Sequence, residues 1–233
     1  MQNTVLGIIV LVLAVGCDKL GNPIVPIHHP VQITINFGQD QDWFGGQSDY
    51  TVGTEPSYVL FEQRTLPAPF QGRGLYSTGT NHSDDLFLYI KKRIEGFAAN
   101  QAYSLTFELT ILTDAPAQCI GTGGAPGESV TVKAGATVVE PITIQKGDYF
   151  VMNIDKGSQA NAGLDALILG NLANNSNDCT NRRFETKILR SQNAQEVATD
   201  GSGALWIIFG IDSGFEAGSS LYYLTSKIDA VPN

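Results

Sequence analysis

Residues 70–112 read FQGRGLYSTGTNHSDDLFLYIKKRIEGFAANQAYSLTFELTIL, and the last part of that stretch decides the fold class. From Tyr103 the chain alternates. Tyr103, Leu105, Phe107, Leu109 and Ile111 point one way, and Ser104, Thr106, Glu108 and Thr110 the other. A period of two in β-branched and aromatic residues marks a strand with one buried and one wet face. Just before it, Leu86 to Ile94 reads as a second strand, with Gly96 to Asn100 as the connection. Leu75 and Tyr76 open a shorter strand that runs into a polar loop from Thr80 to Asp85. The centre of the chain is therefore antiparallel β.

Working outward, Ala204 to Ile211 (ALWIIFGI) is a nearly continuous apolar run, suited to a strand buried on both faces. Asp212 to Glu216 makes a turn, and Leu221 to Ile228 is a last strand with Tyr222 and Tyr223 facing opposite ways. On the N-terminal side, Val31, Ile33, Ile35 and Phe37 form an alternating first strand. Tyr58 to Gln63 is another, closed by Leu66-Pro67-Ala68-Pro69 because proline cannot join a ladder. Val130–Lys133, Ile142–Ile144, Tyr149–Ile154, Phe184–Leu189 and Glu196–Thr199 are further strands. Gly38 to Tyr50 reads as a loop, and so does 156–183 around one apolar piece, Leu164 to Leu169. The glycine-rich CIGTGGAPGES at 119–129 is no phosphate cradle: it has no P-loop lysine, Pro126 interrupts it, and no helix follows.

A hydrophobic content of 42% supports a real core, and 25 glycines with 10 prolines favour turns over helix. The formal net charge is −9, and no basic run exceeds Lys91-Lys92-Arg93. Such a body repels phosphates, which argues against nucleic acid as a partner.

Residues 1–16 carry no charged side chain, and the apolar run Val5 to Val15 is too short to span a bilayer. It suits the h-region of a signal peptide. The sequence that follows, Leu13-Ala14-Val15-Gly16-Cys17, resembles the lipobox of bacterial lipoproteins. That resemblance implies a signal peptide over 1–16 and a Cys17 that is diacylated and becomes the new N-terminus. The protein would then be membrane-bound through lipid, extracytoplasmic, in the cell envelope. Residues 17–30 form a short linker stiffened by Pro23, Pro26 and Pro30, with His28 and His29 solvated. Cys119 and Cys179 remain as an even pair in an exported chain and are expected to form a structural disulfide.

Residues 31–233 then form one domain. The Trp-bearing loop after the first strand, GLYSTG (74–79), NQAYSLTFELTI (100–111) and LYYLTSKID (221–229) resemble the galactose-binding-like jelly rolls that serve as carbohydrate-binding modules. SDDLF (83–87) and DSGFE (212–216) resemble stretches of uncharacterised secreted bacterial lipoproteins. The first resemblance implies an antiparallel β-sandwich that binds glycan without catalysis. It also raises a structural calcium between first and last strands, which Asp229 would suit. Asn36-Phe37-Gly38 lacks the matching acid, so no calcium, other metal or cofactor is expected.

Sugar binding needs aromatic faces and short polar groups. Asp42, Trp43, Phe44, Asp49 and Tyr50 offer both in one loop, although Trp43 and Phe44 would serve equally as a plug for the sandwich end. Asn81, His82, Asp84 and Asp85 form a second polar candidate. Ser83, His82 and Asp84 are neighbours rather than converging partners, so they do not make a catalytic triad, and no G-x-S-x-G elbow exists. Two alternatives to glycan binding stay open: an assembly subunit of the envelope that binds protein, and a hydrolase whose carboxylates converge only in space. The anchor is directly testable. Mass spectrometry of the mature chain should find cleavage behind Gly16 and a diacylated Cys17, whereas an intact 16–17 bond would remove the anchor.

Overall fold

The computed structural model describes residues 29–233; the leader, Cys17, His28 and most of the linker lie outside the described residues. Fifteen strands follow in order: β1 (Val31–Asn36), β2 (Phe44–Ser48), β3 (Tyr50–Thr51), β4 (Ser57–Thr65), β5 (Arg73–Thr80), β6 (Leu86–Glu95), β7 (Ala102–Thr113) and β8 (Val130–Thr137). They continue with β9 (Thr143–Lys146), β10 (Tyr149–Met152), β11 (Leu167–Asn171), β12 (Glu185–Arg190), β13 (Gln195–Ala198), β14 (Ala204–Ser213) and β15 (Gly218–Pro232). Among the described residues there is no helix. All pairings are antiparallel, so the expected all-β sandwich is what the chain forms.

One sheet runs β12-β7-β15-β5-β4, with β1 added to β15 and β13 to β7. The facing sheet runs β11-β8-β14-β6-β2. From β5 to β8 the chain alternates between the sheets, and then β14 inserts between β6 and β8 while β15 inserts between β5 and β7. The alternation seen in sequence sets the core. Leu105, Phe107, Leu109 and Ile111 of β7 and Leu221, Tyr223, Ile228 and Ala230 of β15 face Leu88, Ile90, Val132, Phe209 and Ile211 of the other sheet. Phe209 is the hub: its ring centroid lies 5.7 Å from Phe37, 5.8 Å from Trp43 and 6.3 Å from Phe107.

A third, small sheet of β3-β10-β9 covers the outer face of the five-stranded sheet. Phe87, Tyr89 and Ile208 point outward from that sheet and pack with Met152 and Ile154. The expected loop from Gly38 to Tyr50 thus contains a strand, β2. Its glycines do not turn the chain; they let rings lie on it. A Cβ at Gly45 would come within 2.0 Å of Phe61 Cγ, and one at Gly46 within 2.5 Å of the Tyr89 ring.

The Cys119–Cys179 disulfide is formed, with Cα atoms 5.7 Å apart and 60 positions between them. It ties the loop after β7 to the loop before β12, at the end of the ladder where Glu185 pairs with Thr113. On the chain-entropy model, closing a loop of this length stabilises the fold by about 4 kcal/mol. The double variant Cys119→Ser/Cys179→Ser should lose about that much in equilibrium denaturation. An unchanged midpoint would mean that the hydrogen bonds of the loop suffice without the bridge.

Candidate functional site

The seven-stranded sheet keeps an outer face on which registers align one row across four ladders: Glu62 opposite Tyr76, Tyr76 opposite Tyr222, Tyr222 opposite Leu112, and Leu112 opposite Thr186. Side chains in such a row share one face. Tyr223 goes inward to the core, so Tyr222 must go outward, as the alternation of β15 requires. The Tyr76 and Tyr222 rings lie 4.8 Å apart and tilted by 48°. Phe184, two positions ahead of Thr186, meets Tyr222 edge-on with centroids 5.9 Å apart. Tyr222, only 8% exposed, is the floor of this strip, and the partly exposed Tyr76 and Phe184 are its walls.

The strip has a charged rim. The Arg64 guanidinium sits over the Tyr76 ring, 4.4 Å from its centroid, and also pairs with Glu62. Arg182 closes the other end, donating from Nη2 to Asp114 Oδ1 at 2.9 Å and from Nε to the Asp114 carbonyl at 3.0 Å. Burial pushes the Tyr222 hydroxyl pKa up, Tyr76 adds to this, and Arg64 opposes it. The hydroxyl therefore stays neutral and keeps its proton for donation. Phe184 and Arg182 come from the loop that Cys179 anchors. Asn174 Nδ2 donates to the Arg183 carbonyl at 2.9 Å and fixes the same turn. The disulfide thus holds one wall of the strip.

The residues singled out from sequence lie elsewhere and do not come together in one site. Trp43 packs 4.9 Å from Phe37 and donates its indole N–H to Asp40 Oδ2 at 3.1 Å. Tyr50 stacks on Phe150 at 4.7 Å within the small sheet, while Phe44 is 59% exposed on edge strand β2, next to the exposed Asp42. Asn81 is buried and donates through Nδ2 to the carbonyls of Ser213 (2.8 Å) and Phe215 (3.2 Å), pinning its loop to the β14–β15 turn. His82 Nε2 is hydrogen-bonded to Ser57 Oγ at 2.9 Å. The Asp84 carbonyl accepts from Gln159 Nε2 at 2.7 Å.

Asp49 and Asp85 join a buried cluster whose other members are Asp212, Lys133 and Lys156. Lys133 Nζ donates to Asp212 Oδ2 (2.8 Å) and to the carbonyls of Lys156 and Asn161 (both 3.0 Å). Lys156 Nζ donates to Asp212 Oδ2 (2.7 Å) and the Gly157 carbonyl (3.1 Å), and pairs with Asp49 Oδ2 at 2.6 Å by distance, though not with hydrogen-bond angles. Burial lowers the pKa of Lys133 against the pull of Asp212. Burial opposes the charge of Lys156 too, but Asp212 and Asp49 together outweigh it and raise its pKa. Burial raises the pKa of Asp49 despite Lys156. Among the described residues, Asp49, Asp85 and Asp212 are the carboxylates that converge tightly enough to hold a metal. Lys133 and Lys156 both pair with Asp212, and Lys156 also with Asp49, while Asp85 pairs with neither lysine.

Two open hollows, of about 480 and 320 Å³, lie near Arg73 and Leu224 and near Gly170 and Asn193. Neither is lined by Asp, Glu or His. Because Trp43 joins the Phe37–Phe209 contact network, Trp43→Ala should cost about 3 kcal/mol, at the low end for a large aromatic in a core. Thermal denaturation would show it; a loss of under about 1 kcal/mol would mark the ring as surface.

No family model matches the sequence, and no curated protein matches it. Solved structures of similar build include a carbohydrate-binding module that recognises mannan (9% identity, 87% of this chain and 99% of that one, TM-score 0.40). Another is the K1 cleaved adhesin domain of Lys-gingipain from Porphyromonas gingivalis (11% identity, 87% and 99%, TM-score 0.37). Likeness at these values carries no information on ligand or activity.

Proposed function

We propose that this protein is a non-catalytic glycan-binding module, held at the extracytoplasmic face of a membrane by a lipidated Cys17. The observation that carries the binding reading is the row of Tyr76, Tyr222 and Phe184 on an outer sheet face, rimmed by Arg64, Glu62, Asp114 and Arg182. Pyranose rings present apolar C–H faces that stack on aromatic rings, and their hydroxyls need donors and acceptors at the edge. The strip supplies both. Its aromatics stand on strands and on a disulfide-held loop, so a ligand would meet a surface already ordered, with little entropy lost on closing. The lipid anchor rests on the leader sequence and the cysteine that follows it.

A glycan array probed with the protein should return at least one hit. Tyr76→Ala and Phe184→Ala should then weaken binding by roughly tenfold or more, with melting temperature nearly unchanged because both rings are only partly buried. If both variants bind every array hit as tightly as the wild type, the strip is not the site.

A further inference from the structure

The cluster beneath the small sheet leaves one charge uncompensated. Asp49, Asp85 and Asp212 bring three negative charges, and Lys133 and Lys156 bring two positive ones. Lys133 and Asp212 are essentially buried, at 1% and 0% side-chain exposure. A net charge in such a place is costly unless it is neutralised. The lysines cannot give more, because each ammonium already has three oxygen partners. Three cluster oxygens are buried without a hydrogen bond: Asp49 Oδ2, which has only its 2.6 Å ion pair with Lys156, and Asp85 Oδ1 and Asp212 Oδ1, which have neither a hydrogen bond nor an ion pair. The three carboxylates each bring an oxygen to within 4.8 Å of the others.

We propose that Asp85 and Asp212 share one proton, which completes a neutral five-residue latch holding the small sheet and the 81–85 loop to the five-stranded sheet. The proton gives both orphan oxygens a partner and brings the count to zero. A divalent cation would give the oxygens a partner but not a neutral count: it would leave a buried excess of one positive charge, beside ammonium groups 2.6–2.8 Å from Asp49 and Asp212. The members come from five places in the chain: the β2–β3 junction (Asp49), the entry to β6 (Asp85), β8 (Lys133), the turn after β10 (Lys156) and β14 (Asp212). Losing the proton therefore loosens the contact of the cover with the sheet beneath it.

Burial is the largest cause raising the Asp85 pKa from 3.8 to about 7; the charges of Asp212 and Asp49 and a hydrogen bond with Asp212 add to it, against Lys156. The folded state then holds a proton that the unfolded chain has released, so stability falls as pH rises through the interval between those values. The contribution is complete below about pH 4 and is lost above about 7. Asp84 and His82 on the same loop, and Asp155, whose charge interacts with Lys133 and Lys156, are the neighbouring titratable groups; His82 is separated by its own variant.

The test is the melting temperature of the full chain from pH 4.5 to 8.5, for wild type, Asp85→Asn and His82→Gln. The wild type and His82→Gln should lose several degrees between pH 4.5 and about 7 and then level off, and Asp85→Asn, which cannot ionise, should stay nearly level and melt above the wild type at pH 8. Equal slopes in wild type and Asp85→Asn overturn the proposal. If Asp85→Asn does not fold, the wild type decides through the carboxyl carbon NMR shift of Asp85: a midpoint near 7 supports the shared proton and one near 4 overturns it. Added calcium is the remaining arm. A rise in wild-type melting temperature at pH 8 that is lost in Asp85→Asn would mean that the cluster takes a cation instead, and would overturn the shared proton.

Discussion

The sandwich depends on its last thirty or so residues. β14 and β15 are the central strands of the two sheets, each inserted between strands laid down long before it in sequence. β14 pairs with β6 over residues 86–95 and with β8 over 130–137. β15 carries β1 and β5 on one edge and β7 on the other. Neither sheet has a middle until these strands arrive, so β4–β5 and the β7–β12 pairing must wait as partial structures. Such non-local closure makes folding slow and strongly cooperative. It also gives the disulfide a second use, since a bridge across the β7–β12 end restrains chain that would otherwise be held only by strands added last.

Why the chain can afford polar groups in its interior follows from the same arrangement. The outward face of the five-stranded sheet alternates Phe87, Tyr89 and Lys91 on β6 with Ile208, Gly210 and Asp212 on β14. Two of these six, Lys91 and Asp212, are charged, on a face that is otherwise apolar or aromatic. It is stable only because the small sheet and the 153–165 turn cover it, and because backbone carbonyls of Lys156, Gly157 and Asn161 receive the ammonium groups. Gly163 is required there: a Cβ on it would fall within 2.2 Å of the Asp155 carbonyl.

How much of this was legible follows from whether the signal is local. The alternation of 103–111, the apolar run 204–211 and the opposed Tyr222 and Tyr223 each fix a strand and its faces within a few residues, and all three strands form. β2 was hidden because FGGQS has no period; its glycines answer to Phe61 and Tyr89, which lie far off in sequence. The aromatic strip was hidden for a related reason. Tyr76 and Tyr222 are 146 positions apart and meet only through the β5–β15 register. Asp49 and Asp85 were visible as acids, but their partners Lys133, Lys156 and Asp212 stand in stretches with no acidic or basic pattern to flag them.

The two outer faces of the sandwich have divided their roles. On one, the small sheet packs Met152 and Ile154 over Phe87, Tyr89 and Ile208, and the charges beneath it are drawn into a buried cluster. That face is committed to holding the fold. On the other, among the described residues no further sheet lies over Tyr76 and Phe184, and the cations nearby are paired at the rim, where water screens them, instead of being buried. Rim pairs of this kind can exchange partners at little cost, because each is worth at most about 1 kcal/mol at a surface. An incoming hydroxyl or carboxylate could therefore take over a bond from Glu62 or Asp114 without disturbing the sheet below. The distinction between the faces is thus energetic as well as geometric: one has its polar groups locked by burial, and the other keeps them available.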